Sequence, residues 1–377
     1  MAVYLDFNAS TPVDPRVLDR MVEVYRSHFG NADSRTHVFG TQAKELVNGG
    51  RSGIAEILNV DPTDVFFTSG STESNNMALL GLLEHAQSSG RRHFITTAIE
   101  HKSVLGAMRY LEGHGCQVDY VSPDASGRVR PEQILGLVRE DTLLVSMMHV
   151  NSETGVIQPI EEVGAALADT PVYFHIDATQ GFGKRNDELR RAKYDMLSAA
   201  AHKLGGPQGI GALVLRRDGR YYRRPPLIPL MYGGPQERGY RPGTTPVALV
   251  AGFVLAAQLC HRESAQHMAR CAEIKREFLT AVSGLQYSLN GDQDRCLPTT
   301  VNISFHGVDA ESLFLAMKED YAFSNGSACN SGSHEPSYVL TAMGLPEERI
   351  SQAVRISWDH NTKVDFGALV RYIQSII

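Results

Sequence analysis

With 377 residues and 36 Lys+Arg against 42 Asp+Glu, a formal net charge of −6, the chain is long enough for two lobes around a large core. It carries no block of like charge, so direct nucleic-acid binding is not expected. Its five cysteines show no C-x-x-C pairing, which argues for a reducing compartment and against a disulfide framework or zinc site. No apolar run approaches the ~20 residues that span a bilayer, and the N-terminal Met-Ala-Val-Tyr-Leu-Asp lacks a basic, apolar leader; a cytoplasmic protein without membrane contact is expected.

In chain order, short apolar runs bounded by turns predict strands at Val65–Thr68, His93–Thr97, Gln117–Val121, Thr142–His149, Val172–Asp177, Met196–Ala199 and Gly211–Leu215. Between them, amphipathic patterns predict helices over Glu73–Ala86, Ser103–Leu111, Pro131–Val138 and Ile160–Leu167, with Pro131 in a first turn that tolerates it. The alternation gives an α/β fold: a mostly parallel sheet covered by helices on both faces. Arg216, Arg217, Arg220, Arg223 and Arg224 follow the last strand and read as a solvated loop, a docking patch being the alternative. A long helical pattern runs from Val247 to Val282. After it come strands at Thr300–Phe305 and Val354–Ser357 and helices at Ala310–Lys318, Ser337–Met343 and Phe366–Ile376. The expected division is a large domain over 16–245 and a smaller α+β domain made of 1–15 and 246–377. No repeats or low-complexity linkers interrupt it.

Two residues stand in contexts that favour chemistry over packing. Lys203 follows a short apolar run in Ser-Ala-Ala-Ala-His-Lys-Leu-Gly-Gly-Pro (198–207), where a strand-end lysine suits a Schiff base. Cys329 lies in Ser-Asn-Gly-Ser-Ala-Cys-Asn-Ser-Gly (324–332), small polar residues that suit a travelling thiol nucleophile. Thr-Ser-Gly-Ser-Thr-Glu-Ser-Asn-Asn (68–76) turns from strand to helix, where free N–H groups and the hydroxyls of Ser71 and Thr72 make either a phosphate cradle or ordinary helix caps. Asp177 ends a buried strand, facing the crevice where α/β proteins bind ligands, or else caps a helix. Combined, these pieces fit pyridoxal phosphate. That cofactor needs a lysine for its aldehyde (Lys203), an anion site for its phosphate (Ser71, Thr72) and a carboxylate for its pyridine nitrogen (Asp177). Gln180 can hydrogen-bond the ring's phenolic oxygen and His101 can stack on its face; both also read as ordinary polar residues.

Motifs along essentially the whole chain carry a resemblance. Tyr-Leu-Asp-Phe-Asn-Ala-Ser-Thr-Pro-Val-Asp-Pro (4–15), Ser-Gly-Ser-Thr-Glu-Ser-Asn-Asn (69–76), Glu-His-Lys-Ser-Val (100–104), His-Val-Asn-Ser-Glu-Thr-Gly (149–155), Ala-His-Lys-Leu-Gly-Gly-Pro-Gln-Gly-Ile-Gly (201–211) and Gly-Ser-Ala-Cys (326–329) occur in order. The sequence resembles the group I cysteine desulfurases, class V aminotransferase-like enzymes of the fold-type I pyridoxal-phosphate class. The resemblance implies that free L-cysteine binds at Lys203, that Lys203 and His101 move protons, and that Cys329 takes the substrate sulfur as a persulfide, leaving L-alanine. It assigns Asn151 and Arg355 to the substrate carboxylate, Asn151 also to the cofactor, and His202 and Thr244 to the cofactor phosphate. Because that threonine comes from the neighbouring subunit in the family, the resemblance implies a homodimer, and a protein sulfur acceptor completes the expected partners.

Departures from the family pattern point to the acceptor. Ala200 removes one phosphate hydroxyl, Pro242 replaces a usual serine, Trp358-Asp359 replace glycine and arginine, and the chain stops at Ile377 without the housekeeping extension. A specialised donor is expected beside iron–sulfur assembly, such as one for DNA phosphorothioation or transfer-RNA thiolation. The rival readings are a selenocysteine lyase or aminotransferase on the same fold, and a binding partner that keeps the fold without the chemistry. Cys116, Cys260, Cys271 and Cys296 read as inert thiols.

Overall fold

Seven strands form the main sheet. Val65–Thr68 lies at one edge, followed by Gly211–Leu215, Met196–Ala200, Tyr173–Asp177, Thr142–Met148, His93–Thr97 and, at the other edge, Gln117–Val121. Four consecutive pairings from the Gln117 edge are parallel, while Gly211–Leu215 runs antiparallel to both its neighbours. Thr142–Met148, Met196–Ala200 and Gly211–Leu215 are buried along their whole length, which is why they read as continuous apolar runs rather than as alternating ones. The structure, a computed structural model, describes residues 2–217, 223–324 and 336–376; Cys329 and Arg220 lie outside them. Among the described residues no helix is long and apolar enough to cross a membrane.

The α/β expectation holds, with corrections inside it. The single helix expected over 73–86 is two, Ser71–Leu80 and Leu83–Ser89. They part at Gly81, whose carbonyl accepts from the Ile228 amide at 2.9 Å, and a Cβ there would meet Leu227 at 3.1 Å. The helix beginning at Pro131 ends at Leu135, capped by Gly136. Two long helices escape the sequence reading, Pro15–Ser27 and Val38–Leu58, as do the short Asn186–Arg191 and Glu347–Ser351. The second carries three interior glycines that weaken its intrinsic propensity. Gly50 and Gly53 are there for close approach: a Cβ on either would lie 2.7 Å from Val250 or Val254 of the long helix.

That long helix, Val247–Val282, has 36 residues and so extends about 54 Å. Its first half, from Val247 to Leu259, packs into the core of the large sheet. Its second half, with Cys271, Ile274, Phe278 and Val282, packs into a second core with Val301, Ile303, Val354 and Ile356. Those last residues lie in an antiparallel three-stranded sheet of Ala353–Ser357, Thr300–Phe305 and Tyr287–Leu289. The N-terminal strand Val3–Tyr4 pairs in parallel with Tyr321–Ala322, and Leu5 joins the second core. Trp358, at a position where the family pattern carries glycine, is buried there, and its indole N–H donates to the carbonyls of Pro298 and Cys271.

Three members of the arginine cluster, Arg216, Arg217 and Arg224, are held against the chain. Arg217 and Arg224 both reach Asp64, at 3.2 and 2.8 Å. Arg224 also lies over the Phe66 ring, and Arg216 over the Tyr194 ring at 4.4 Å. These described members are committed within the chain, which leaves them poorly available as a docking patch.

Candidate active site

The parallel strands open their C-terminal ends on one side of the sheet, and Asp177 sits at such an end, 5% exposed and in register with Met148. Its carboxylate accepts from Asn75 Nδ2 at 2.8 Å, from the Thr179 amide at 3.0 Å and from the Thr179 hydroxyl. The bonds to Thr179 cap a local turn, but Asn75 comes from the helix Ser71–Leu80. Asn75 also donates to Ser103 Oγ at 2.9 Å, and Ser103 Oγ lies 2.8 Å from His101 Nδ1. Asp177 and His101 are therefore tied through two polar side chains that the sequence reading did not single out. His101 is itself the N-cap of the helix Lys102–Glu112, its Nδ1 accepting from the Ser103 amide, so the ring is held by its own helix start.

Lys203 ends a short 3₁₀ turn, Ala201–Lys203, that follows the strand Met196–Ala200. Its Nζ donates to the carbonyls of Asn8 and Ala9, each at 2.7 Å. The segment from Asn8 to Thr11 straps this turn: the Thr11 amide and hydroxyl donate to the His202 carbonyl, and the Gly205 amide donates to Thr11 Oγ1. The Asn8 carbonyl also accepts from Gln180 Nε2 at 2.9 Å, while Gln180 Oε1 is buried without a partner among the described residues. His202 is pushed down to about 4, by burial first and then by the Lys203 and His101 charges, so its imidazole is neutral at neutral pH.

At the helix start, Gly70 (φ 153°) caps Ser71–Leu80 without a side-chain hydrogen bond. Ser71 and Thr72 thus stand inside the first turn, where backbone N–H groups have no partner in the helix, instead of capping it. A Cβ at Gly211 would lie 2.7 Å from Gly70 Cα, so turn and strand meet backbone to backbone. Glu73 is held by the Ser69 amide and by Arg241 at 3.0 Å. Ala200 is buried at the strand end beside this turn, and Pro242 is buried as well.

Arg355 lies on the strand Ala353–Ser357 with its side chain 3% exposed. Its guanidinium donates to Asp6 Oδ1 at 2.6 Å and to the Ser152 carbonyl at 3.1 Å. Asn8 Nδ2 donates to that same carbonyl at 3.0 Å, which links Arg355 to the segment holding Lys203. Asn151 is wholly buried and engaged locally. Its Oδ1 accepts from the amides of Glu153 and Thr154, and its Nδ2 donates to the Ile99 carbonyl. Thr244 stands exposed on the surface. Cys329 lies outside the described residues; the last described residue before it, Ser324, pairs by backbone with Arg355.

Two buried acids complete the surroundings. Burial drives the Glu100 carboxyl up to about 8 against hydrogen bonds from the Thr97 hydroxyl and the Met148 amide, with Asp177 adding to the rise. Glu153 is driven up to about 7, again by burial, against the Ser337 hydroxyl that donates to it at 2.6 Å and the Arg355 and Lys102 charges. Glu100 thus carries its proton at neutral pH. The sequence signal for Glu100, Asn75 and Asn8 was their place in the motifs at 100–104, 69–76 and 4–15. Nothing in those motifs alone separates a polar residue that faces the site from one that only braces it.

The chain is similar to known proteins along most of its length. The aminotransferase class-V family model matches residues 3–365. The cysteine desulfurase IscS of Pseudomonas putida (strain W619) is 42% identical over 374 residues, covering 98% of this chain and 91% of that protein. Among solved structures, DndA from Streptomyces lividans is 44% identical with a TM-score of 0.83, over 93% of this chain and 98% of that one. A structure described as SspA in complex with cysteine is 36% identical with a TM-score of 0.82, over 94% of this chain and 98% of the other.

Proposed function

The chain belongs to the class-V aminotransferase family, among its cysteine desulfurases, and on that premise we propose that it takes sulfur from L-cysteine onto Cys329 with pyridoxal phosphate bound at Lys203. The observation that carries this reading is the convergence of Lys203, Gln180 and Asn8 on one carbonyl-lined corner, with the Asp177–Asn75–Ser103–His101 chain belonging to the same strand-end crevice.

The donor set fits the cofactor. Lys203 offers an amine at a strand end and Asp177 a buried carboxylate for the pyridine nitrogen. Gln180 Oε1 is a buried acceptor still without a partner among the described residues. The first turn of the helix Ser71–Leu80 offers amides and the Ser71 and Thr72 hydroxyls to the phosphate. When bound, the cofactor supplies the electron sink that lets the bond between the substrate's β-carbon and sulfur break.

This chain's own residues do the rest. Asp177 would face the pyridine nitrogen and hold a proton there. Lys203 and His101 take and return protons, Lys203 from the position its two carbonyl partners define, His101 from a ring set by Ser103. Arg355 offers a planar fork to the substrate carboxylate, a site where Asp6 is its present partner. We assign Asn151 to bracing this wall through its local bonds. The Cys329 thiolate takes the substrate sulfur: a sulfur–sulfur bond forms, the carbon–sulfur bond breaks, and the carbon gains a proton to end as L-alanine.

We also propose a cytoplasmic homodimer. Phe29 and Tyr232 are 70% and 84% exposed, Phe29 stacks on Phe39, and Gln236 ties the 230–243 loop to Asp33, so this apolar surface and exposed Thr244 belong to one neighbourhood. A second copy would cover it and bring its Thr244 to the phosphate. The persulfide then passes to a protein acceptor. The departures at Ala200 and Pro242 favour a specialised one, such as that of DNA phosphorothioate modification. Persulfide transfer reconstituted with the products of neighbouring genes, set beside an iron–sulfur scaffold protein, decides this, and equal rates would remove the specialised reading. The activity itself is tested by incubating the yellow, cofactor-loaded protein with L-cysteine. One L-alanine per sulfide released is expected; amino transfer without alanine would favour an aminotransferase instead.

A further inference from the structure

Beside the Lys203 turn lies a cavity of about 200 Å³. Phe7, Asn8 and Thr11 of the strap form one wall with Leu204, and Ala256, Leu259, Cys260 and Cys271 of the long helix form another. Trp358, from the second core, and Asp359 close it, and these are the two residues that depart from the family pattern. The cavity shares Lys203 and Asn8 with the candidate active site but none of Ser71, His101, Asp177 or Gln180, so it is a separate space.

One charge in this cavity has no counter-charge. Lys184 lines it, and among the described residues its ammonium has neither a hydrogen-bond acceptor nor a carboxylate partner. The ionisable groups that act on it are the thiols of Cys260 and Cys271, which burial raises to about 11 and about 12 and so keeps protonated at neutral pH. Burial in turn holds the Lys184 ammonium below the ordinary lysine value. The acids along the cavity are engaged elsewhere. Arg16 takes both Asp14 and Glu263 at 2.7 Å, and Asp359 accepts from the Asn361 amide and the Thr362 hydroxyl. A cation withdrawn from bulk water without an anion is strongly disfavoured, and water alone does not supply the missing charge. Lys184 and Met268 also line an outer cleft of about 420 Å³, so these two residues divide the cavity from the surface and mark its entrance.

We propose that this cavity is a binding site for a small organic monocarboxylate, whose carboxylate pairs with Lys184 while a short apolar body lies against Leu259, Met268 and Trp358. The volume is below the roughly 300–1,000 Å³ of sites for drug-sized ligands, which limits the ligand to a short chain. Binding is non-covalent and independent of the desulfurase reading.

The test is equilibrium titration of the cofactor-loaded protein with isobutyrate and with isobutyramide, its neutral counterpart of the same shape. Wild type is set beside Lys184→Met, which keeps an unbranched side chain without the charge and is checked for unchanged thermal melting. Saturable isobutyrate binding is expected in the wild type, with isobutyramide at least about tenfold weaker for want of the charge-assisted hydrogen bond. Lys184→Met should lose about that factor for isobutyrate and bind isobutyramide as the wild type does. A crystal grown with isobutyrate should hold it between Lys184 and Trp358. Equal wild-type affinity for the two compounds, a comparison that needs no variant, would overturn the site. So would unchanged isobutyrate binding in Lys184→Met, isobutyrate found only at Arg355, or no saturable binding in the wild type. None of these readouts involves turnover, so failure of the desulfurase reading would leave them unaltered.

Discussion

The Asn8 carbonyl oxygen lies 2.7 Å from Lys203 Nζ, although the two residues are 195 positions apart. The same oxygen accepts from Gln180, and the Asn8 side chain is anchored in turn to the Ser152 carbonyl and Thr300 Oγ1. The lysine is therefore positioned by a peptide that is itself fixed to two distant parts of the chain. Asn8→Ala deletes both anchors and leaves the buried Thr300 hydroxyl short of a donor, a cost of about 1–3 kcal/mol. Lower thermal stability with a reduced kcat for alanine formation is expected. A variant with wild-type melting and turnover would show that the strap does not position the lysine.

Lys203→Ala should remove both the visible absorbance of the lysine-bound cofactor and the activity, the latter by at least about a hundredfold from lost proton transfer alone. Retained absorbance would move the attachment to another lysine. Asp177→Ala should still bind the cofactor while losing most turnover, because an unprotonated ring is a poor electron sink. Undiminished alanine formation in that variant would remove the carboxylate from the account.

How far the site was legible in sequence follows from such pairs. Lys203, Asp177 and Ser71 stand out as candidates at strand ends and a helix start, local features that a window of ten residues contains, whereas His101 read equally as an ordinary polar residue until the family resemblance singled it out. Asn8 and Asn75 do not, because their roles depend on contacts to Lys203 and Asp177 that only the folded chain creates. The helix Val38–Leu58 was missed for a related reason: Gly49, Gly50 and Gly53 depress local propensity, and close packing on Val250 and Val254 outweighs it. Trp358, by contrast, stood out as a departure from the family pattern, yet its buried indole is a core anchor with two carbonyl partners.

Glu100 gives a pH prediction. Its carboxyl ordinarily titrates at 4.5 and in the fold at about 8, so the unfolded chain releases this proton more readily. The stabilising contribution of the protonated form is complete below 4.5 and is lost as pH rises towards 8, by up to about 1.4 kcal/mol per pH unit. Glu100→Gln removes the proton but keeps the amide oxygen for Thr97 and Met148. Its melting temperature should fall less than that of the wild type between pH 5 and pH 8 (about the span of the shift). Parallel pH profiles for the two proteins would show that Glu100 is not the group responsible.

The proposed dimer rests on exposed Phe29 and Tyr232 and on Thr244. Placing a charge in that patch with Phe29→Glu and Tyr232→Glu should give a monomer in light scattering with weakened cofactor retention, since the partner's threonine is then absent from the phosphate. A monomeric double variant with full activity at low concentration would contradict the shared site.

The central claim is that sulfur leaves cysteine by way of Cys329, and peptide mass spectrometry after incubation with L-cysteine tests it most directly. One additional sulfur is expected on the peptide containing Cys329, and Cys329→Ser should stay yellow while forming neither persulfide nor sulfide. Extra sulfur found instead on the peptides of Cys116, Cys260, Cys271 or Cys296, or sulfide still released by Cys329→Ser, would contradict it.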